Sequence, residues 1–124
     1  MRPKVLICDD EDILRRLVRA SLARCDYDVI EARDGDEAIE VAGAERPQLI
    51  VLDMMMPGRT GLEVLAHVRA DASLSRTPVI MLSARTQEND RAAANEAGAT
   101  LFLPKPFSPA ELAALVQETL SDLN

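Results

Sequence analysis

The chain has 124 residues, of which 48% are hydrophobic and 28% are charged, values typical of one globular domain spanning residues 1–124. Its 14 basic and 21 acidic residues give a net charge of −7, which is the wrong sign for direct contact with nucleic acid or an anionic membrane. No apolar run approaches the roughly 20 residues that a membrane span needs, and no secretion signal precedes the first apolar run, so we expect a cytoplasmic protein.

Five short apolar runs of strand length alternate with longer segments that have helical periodicity. The runs are Val5–Cys8, Val29–Ile30, Leu49–Leu52, Val79–Leu82 and Leu101–Leu103. Because each connection is long enough for a crossover and the runs are apolar throughout, the pattern predicts an α/β fold in which helices cover both faces of a parallel sheet. In such sheets the functional residues collect at the carboxyl ends of the strands.

The segment after the first run has the periodicity of an amphipathic helix. Its apolar residues recur at three- and four-residue steps, and we expect them to form one buried stripe of Ile13, Leu14, Leu17, Val18, Leu22 and Cys25. The same pattern leaves Arg15, Arg16 and Arg19 on the face that contacts solvent.

Three later helices carry recognisable start signals. A capping residue is followed three positions later by glutamate in the pairs Asp34 and Glu37, Thr60 and Glu63, and Ser108 and Glu111, which is the spacing of a capping box. Pro109 suits the first turn of the last helix. The buried stripe predicted for that helix contains Leu112, Leu115, Val116 and Leu120.

The fourth helical segment, Thr86 to Ala97, presents mainly alanine to the core. Its inward candidates are Ala92, Ala93, Ala94 and Ala97, and Gly98 is suited to end it. Because alanine favours helix but buries little area, we expect this helix to form readily and to be held to the sheet less firmly than its neighbours.

Acidic residues, a hydroxyl and a lysine follow the apolar runs. Asp9 and Asp10 follow the first run, Asp53 the third, Ser83 the fourth and Lys105 the fifth. Since parallel strands end at the same edge of a sheet, three carboxylates and one ammonium should meet there, with two negative charges in excess. A divalent hard cation balances that excess, and carboxylate oxygens are typical ligands of Mg²⁺.

These residues also have ordinary structural interpretations. Asp9 or Asp10 is suited to cap the following helix. Ser83 is suited to be a capping or loop hydroxyl, and Lys105 to be a solvated surface lysine. Prolines on both sides restrict the backbone of Lys105 and orient its side chain, and the Lys105–Pro106 bond is open to either the cis or the trans form.

Four segments together resemble the receiver (CheY-like) domain of bacterial two-component response regulators: V-L-I-C-D-D-E, L-I-V-L-D-M-M-M-P-G, P-V-I-M-L-S-A and G-A-T-L-F-L-P-K-P-F. They occur in the family's order and span essentially the whole chain. The resemblance implies a flavodoxin-like (βα)5 fold, with a five-stranded parallel sheet in the order 2-1-3-4-5 and helices on both faces.

The resemblance also implies a role for each matching residue. Asp53 would be the phospho-acceptor, Lys105 would contact the phosphoryl group, and Ser83 would be the switch hydroxyl. Phe102 matches the switch aromatic, a position more often occupied by tyrosine in the family. The implied Mg²⁺ ligands are Asp9, Asp10, Asp53 and the backbone carbonyl of Met55.

The chemistry of these residues agrees with that assignment, because a carboxylate can attack phosphorus once metal and lysine neutralise the incoming oxygens. The resemblance implies a sensor histidine kinase or His-phosphotransfer protein as donor, and catalysis only of the domain's own phosphorylation and dephosphorylation. Phosphorylation would alter the surface of the fourth helix, fifth strand and fifth helix. A downstream effector, a missing output domain or a phosphorylation-dependent dimer would respond to that change.

Three other functions share parts of this pattern. A small aspartate-dependent phosphatase would need a general acid two residues after Asp53, where Met55 cannot transfer a proton. A pseudo-receiver would signal without phosphate, although the acids, Ser83 and Lys105 are all retained. A flavin-binding domain would need a phosphate-cradling glycine loop after the first run, which the sequence lacks.

The remaining chemistry-bearing residues are interpreted as structural. His67 is the only histidine and has no acidic or cysteine partner nearby in sequence, so a solvated or packing role is expected. Cys8 and Cys25 have the pattern of reduced packing thiols. The side chains of Met54 to Met56 are expected to pack, because thioethers are soft ligands unsuited to Mg²⁺.

Overall fold

The computed structural model describes residues 2–84 and 88–122, along which five strands and five helices alternate. The strands are β1 (Lys4–Cys8), β2 (Asp28–Ala32), β3 (Leu49–Asp53), β4 (Val79–Ser83) and β5 (Leu101–Pro104). The helices are α1 (Asp12–Leu22), α2 (Gly35–Glu45), α3 (Gly61–Ala70), α4 (Glu88–Glu96) and α5 (Pro109–Ser121). Each predicted apolar run is a strand, and the predicted helix start at Thr86 lies outside the described residues.

All strand pairs are parallel, and the sheet has the order β2-β1-β3-β4-β5. This confirms the predicted α/β fold and its strand order. The order reverses between β1 and β3, because the chain builds the sheet outward from β1 in both directions. Ligand sites of open parallel sheets lie at such a reversal.

Alternating side chains build a core on each face of the sheet. One core joins alternate strand residues to α2, α3 and α4, and includes Leu6, Ile50, Leu52, Met81, Ala38, Val64, Leu65 and Ala94. The other joins the intervening strand residues to α1 and α5, and includes Val5, Ile7, Val51, Ile80, Val18, Leu22, Leu112 and Val116. Helices therefore cover both faces, as predicted.

The predicted buried stripe of α1 is partly wrong. Val18 and Leu22 are buried, but Ile13 is 72% exposed and Leu17 is 47% exposed. Arg15, predicted to contact solvent, is only 6% exposed. Polar groups of β2 and of the loop after β1 explain the difference, because the Glu31 carboxylate and the Asp9 carbonyl accept hydrogen bonds from the Arg15 guanidinium within the fold.

The start signals of the later helices are confirmed. Asp34 accepts a hydrogen bond from the Glu37 amide, and complete capping boxes begin α3 at Thr60 and α5 at Ser108. In α2 the Glu37 carboxylate accepts from the amide of Arg33 instead of Asp34, so the second half of that box is displaced by one residue.

The predicted inward face of the fourth helix is partly confirmed, and how firmly that helix is held to the sheet stays a prediction. Ala94 is fully buried, whereas Ala93 and Ala97 are half-buried and Ala92 is exposed. Gly98 has a φ of 98° and follows the end of the helix, a backbone conformation that a side chain would strain.

Within residues 2–84 and 88–122, no helix combines the length and apolar character needed to cross a bilayer.

Candidate functional site

The parallel register places the predicted polar residues at one edge of the sheet. Asp9 directly follows β1, Asp53 is the last residue of β3, and Ser83 is the last residue of β4. Asp53 lies opposite Leu82, and Ser83 lies opposite Pro104, so Lys105 begins where β5 ends. The local sequence ends β3, β4 and β5 in Asp53, Ser83 and Pro104 and places Asp9 directly after β1, so the polar side chains lie at the margin of the apolar core.

Asp9 is fully buried, and groups from several elements of the fold bind it. Its amide donates to the Ala32 carbonyl at 3.2 Å, its Oδ1 accepts from the Glu11 amide at 2.9 Å, and its Oδ2 accepts from Lys105 Nζ at 3.1 Å. Burial raises the pKa of Asp9 above its ordinary value, although the Glu11 amide and the Lys105 ammonium oppose that shift.

Asp53 is 4% exposed and shares the same ammonium. Its Oδ2 lies 3.4 Å from Lys105 Nζ, and its Oδ1 accepts from the Met55 amide at 3.3 Å. Burial, reinforced by the negative charge of Asp9, raises the pKa of Asp53 to about 6, against the opposing effect of Lys105. Within residues 2–84 and 88–122, Lys105 therefore offsets only part of the negative charge that Asp53 and Asp9 bring to this cluster.

Lys105 is the cation of this cluster. Burial alone would lower its pKa, but the carboxylates of Asp53 and Asp9 outweigh burial and raise that pKa above the ordinary value. The ammonium also lies 3.6 Å from the exposed carboxylate of Glu11. The Lys105–Pro106 peptide bond is cis.

Asp9, Asp10 and Asp53 together form a site that fits a divalent cation. Each offers a carboxylate oxygen, and these oxygens all lie within 4.8 Å of one another. Asp10 is exposed, so the cluster opens to solvent on its side. Hard oxygen donors of this kind suit Mg²⁺, which keeps several waters and takes only a few protein ligands. Three carboxylates beside one ammonium leave the charge that such an ion neutralises.

The methionines after Asp53 differ in their environment. Met54 and Met56 are buried in the core, as predicted, but the Met55 side chain is 57% exposed, so the expectation that it packs was wrong. The backbone amide of Met55 donates to the Asp53 carboxylate, while its side chain lies in solvent. The role of the Met55 carbonyl as a metal ligand stays a prediction.

Ser83 and Phe102 both contact the start of α4. Ser83 is 1% exposed, and its hydroxyl donates to Asp90 Oδ2 at 3.2 Å. The Arg91 guanidinium lies 4.8 Å from the centre of the half-buried Phe102 ring, within the range of a cation–π contact. Two consecutive helix residues, Asp90 and Arg91, thus bind the two side chains for which the resemblance implies a switch role.

Sequence reasoning missed Arg15, Asp90 and Arg91. Arg15 contacts the main chain of Asp9 although six residues separate them. One available signal was Glu31, an acid directly after the apolar pair Val29 and Ile30 of β2, because a partly buried carboxylate there is stabilised by a cationic partner. No comparable signal marked Asp90 or Arg91, whose partners come from other elements.

The other singled-out residues lie apart from this cluster. His67 is exposed on α3. Cys8 is buried, and burial raises the pKa of its thiol. Cys25 is half-buried, and its Sγ accepts a hydrogen bond from the side-chain Nε2 of Gln117. Both thiols are free.

Comparisons with known proteins agree with this geometry. A family model described as a response regulator receiver domain matches residues 5–117. The chain is 42% identical over 120 residues to the alkaline phosphatase synthesis transcriptional regulatory protein PhoP of Bacillus subtilis. It is 35% identical over 120 residues to the phosphate regulon transcriptional regulatory protein PhoB of Escherichia coli. Both alignments cover 97% of this chain but 49% and 52% of those proteins, so the chain spans about half their length.

Solved structures give the same result. The chemotaxis response regulator CheY4 of Vibrio cholerae matches with a TM-score of 0.89 and 35% identity, covering 95% of this chain and 98% of that chain. The receiver domain of the Francisella response regulator 1452 matches with a TM-score of 0.91 and 30% identity, covering 99% of this chain and 100% of that one.

Proposed function

Because the chain belongs to the response regulator receiver domain family, we propose that it works as a phosphorylation switch in which Asp53 is the phospho-acceptor. The observation that carries this assignment is the position of Asp53, a buried strand-end carboxylate 3.4 Å from the Lys105 ammonium and within 4.8 Å of carboxylate oxygens of Asp9 and Asp10. A nucleophile for phosphoryl transfer needs such positioning and charge neutralisation more than it needs a base.

The transfer step uses one carboxylate oxygen of Asp53. That oxygen forms a bond to phosphorus as the P–N bond of a donor phosphohistidine breaks, and the bonding electron pair stays with the imidazole nitrogen. Lys105 orients one phosphoryl oxygen and offsets its charge. Asp9, Asp10, Asp53 and the Met55 carbonyl would hold Mg²⁺. When bound, Mg²⁺ would supply charge stabilisation at the transferring oxygens.

The same residues disfavour turnover of an external phosphate ester. The position two residues after Asp53 holds the exposed thioether of Met55, which cannot donate a proton to a leaving group. The domain is therefore proposed to catalyse only its own phosphorylation and dephosphorylation. Sustained hydrolysis of p-nitrophenyl phosphate at a rate proportional to protein concentration would contradict this assignment.

The proposed output begins at Ser83 and Phe102. A phosphoryl oxygen on Asp53 is an acceptor for the Ser83 hydroxyl, and movement of Ser83 would release its bond to Asp90 at the start of α4. Phe102 would then move inward, and the surface of α4, β5 and α5 would change. The Phe102 ring has no hydroxyl, so packing of the ring alone would distinguish its inward position from its present one.

The proposed donor is a sensor histidine kinase or a His-phosphotransfer protein in the cytoplasm. The proposed recipient of the signal is a downstream effector, an output domain or a second copy of the chain. The curated relatives are named as transcriptional regulators, and this chain spans about half their length. With a net charge of −7, the chain itself is proposed not to contact nucleic acid.

The test is labelling by a small phosphodonor such as phosphoramidate, followed by intact-protein mass spectrometry. The native chain should gain one phosphoryl group in Mg²⁺ and much less in a chelator, and Asp53→Asn should gain none. Asp10→Ala should lose chiefly the metal-dependent part of the rate. Asp28→Asn is the matched control, because Asp28 is an exposed aspartate at the opposite end of a strand. Persistent labelling of Asp53→Asn would show that another residue is the acceptor.

A further inference from the structure

The buried guanidinium of Arg15 contacts the loop that carries Asp9 and Asp10. Its Nη1 donates to the main-chain carbonyl of Asp9 at 2.7 Å, and its Nε donates to Glu31 Oε1 at 3.0 Å. Its Nη2 pairs with Asp12. The side chain is 7% exposed, and burying a guanidinium is unfavourable unless its donors are satisfied in this way. Arg15 therefore has a fixed position between β2 and the loop after β1.

The carbonyl that Arg15 binds belongs to the peptide joining Asp9 to Asp10. The amide of Asp9 is held separately by the Ala32 carbonyl at 3.2 Å, so both main-chain polar groups of Asp9 are anchored. A peptide unit is planar, which means that fixing its carbonyl also fixes the next nitrogen and Cα. The position of the exposed Asp10 on this edge consequently depends on Arg15.

We infer that Arg15 is a positioning residue for the metal-binding carboxylates: its guanidinium fixes the Asp9–Asp10 peptide, so that both side chains meet Asp53 in an arrangement that accepts a divalent cation. This inference rests on the proposed function, because the cation concerned is the Mg²⁺ of phosphoryl transfer. Arg15 has no contact with the phosphoryl group in this role and acts only through the backbone of Asp9.

The direction in which Mg²⁺ affinity changes when Arg15 is replaced distinguishes a positioning role from a purely electrostatic one. Removing a positive charge close to an acidic site should tighten cation binding if only the electrostatic field changes. Removing an anchor of the ligand-bearing peptide should weaken it, because the carboxylates must then be ordered when the ion binds. The two explanations predict opposite shifts of the same dissociation constant.

Arg19 provides a matched control on the same helix. Its Nε donates to Glu31 Oε2 at 2.8 Å, and its Nη2 donates to the Val29 carbonyl at 3.0 Å. Arg19 thus shares the Glu31 partner and links α1 to β2, but its side chain is 49% exposed, and Glu31 and Val29 both lie on β2 rather than in the Asp9–Asp10 peptide. A role limited to joining α1 and β2 would make both arginine variants behave alike.

The experiment is a Mg²⁺ titration of the metal-free chain without a phosphodonor. The dissociation constant is measured from the backbone amide NMR shifts of residues near Asp53. We expect Kd to rise about tenfold in Arg15→Gln, the lower end of the range for groups that orient metal ligands. Arg15→Lys should show a smaller rise, because one ammonium cannot hold the carbonyl and Glu31 together as the guanidinium does. Arg19→Gln should bind as the native chain does.

Equal or tighter Mg²⁺ binding by Arg15→Gln or Arg15→Lys would overturn the inference. If Arg15→Gln does not fold, Arg15→Lys decides the question, since it keeps the charge and a donor. The outcome for the proposed function is separate: a native chain that binds no Mg²⁺ would contradict the metal site itself. Native binding with unaffected Arg15 variants would contradict only the positioning role.

Discussion

The Lys105 ammonium lies 3.4 Å from the Asp53 carboxylate, although β4 lies between β3, which ends at Asp53, and β5, which Lys105 follows. The same ammonium donates to Asp9 at 3.1 Å. One cation is thus divided between two buried carboxylates, so neither is fully compensated, and the pKa of each stays above its ordinary value. This charge imbalance favours the binding of a metal ion at the site.

Removing the ammonium should raise the pKa of Asp53 further above its present value of about 6. Lys105→Met keeps the side-chain length but deletes the charge that favours the ionised carboxylate. The measurement is a ¹³C NMR titration of the Asp53 carboxyl group without metal. Lys4→Met is the control, because Lys4 is the other lysine of the chain and pairs with Glu45. An unchanged or lower Asp53 pKa in Lys105→Met would contradict the shared-cation arrangement.

The raised pKa of Asp53 predicts a specific pH dependence of stability. Above pH 6 the carboxylate is ionised in both states and destabilises the fold, whereas below pH 3.8 it is protonated in both states and the penalty is absent. Metal-free Asp53→Asn should therefore be more stable than the native chain by up to about 3 kcal/mol at pH 7.5. That advantage should fade between pH 6 and pH 4.

Urea unfolding at pH 7.5 and pH 4 in a chelator measures this difference. Asp28→Asn serves as the control, since Asp28 is exposed and distant from the strand ends that form the site. A constant difference between Asp53→Asn and the native chain across this range would contradict the assignment of the titration to Asp53.

Arg91 is expected to hold Phe102 in its present position. The guanidinium lies 4.8 Å from the ring centre, and an exposed contact of this type contributes about 0.5–1 kcal/mol. Arg91→Gln should therefore shift the Phe102 ring resonances towards their values in the native chain with beryllofluoride, a phosphoryl mimic. Phe107, the other phenylalanine, is an internal control. Ring resonances that move away from the mimic-bound values, or do not move, would contradict the prediction.

Gly61 should be essential for placing Asp53. A Cβ on Gly61 would lie 2.2 Å from the Asp53 carbonyl oxygen and 2.8 Å from the Met54 Cα, both of which are backbone atoms. Gly61→Ala must therefore displace the end of β3, at a cost on the order of 1–3 kcal/mol, and the labelling rate should fall with the stability. Urea unfolding and phosphodonor labelling measure the two effects.

Gly43 offers the matched substitution. A Cβ there would meet nothing within 4 Å, and Gly43 lies within α2. Gly43→Ala should raise the free energy of unfolding by up to about 1 kcal/mol through helix propensity and leave labelling unchanged. If Gly61→Ala and Gly43→Ala have equal free energies of unfolding, the predicted clash at Gly61 does not destabilise the fold.

Much of the fold was predictable from local patterns. Runs such as Leu49–Leu52 are strands because a sheet buried on both faces needs apolar side chains in succession. The capping box of Ser108 and Glu111 begins α5 where the sequence indicated, because a cap depends only on residues within one helical turn. The strand-end positions of Asp53 and Ser83 follow from the same local reasoning.

The environment of α1 was not predictable in the same way. Periodicity assigned Ile13 and Leu17 to the core and Arg15 to solvent, but the exposures are reversed at these three residues. Periodicity measures which side chains share a helix face, and it carries no information about the polar groups that another element brings to that face. Glu31 on β2 and the Asp9 carbonyl decided where Arg15 lies.

By itself, the sequence determined the element order, the starts of α2, α3 and α5, and the polar residues at the carboxyl ends of β1, β3, β4 and β5, since each depends on neighbouring residues in the chain. Only the tertiary structure decided that one ammonium serves Asp9 and Asp53, that Asp90 and Arg91 bind Ser83 and Phe102, and that Arg15 anchors the loop after β1. Electrostatic and hydrogen-bond energies depend on distances between atoms that are far apart in sequence, and packing of the whole sheet sets those distances.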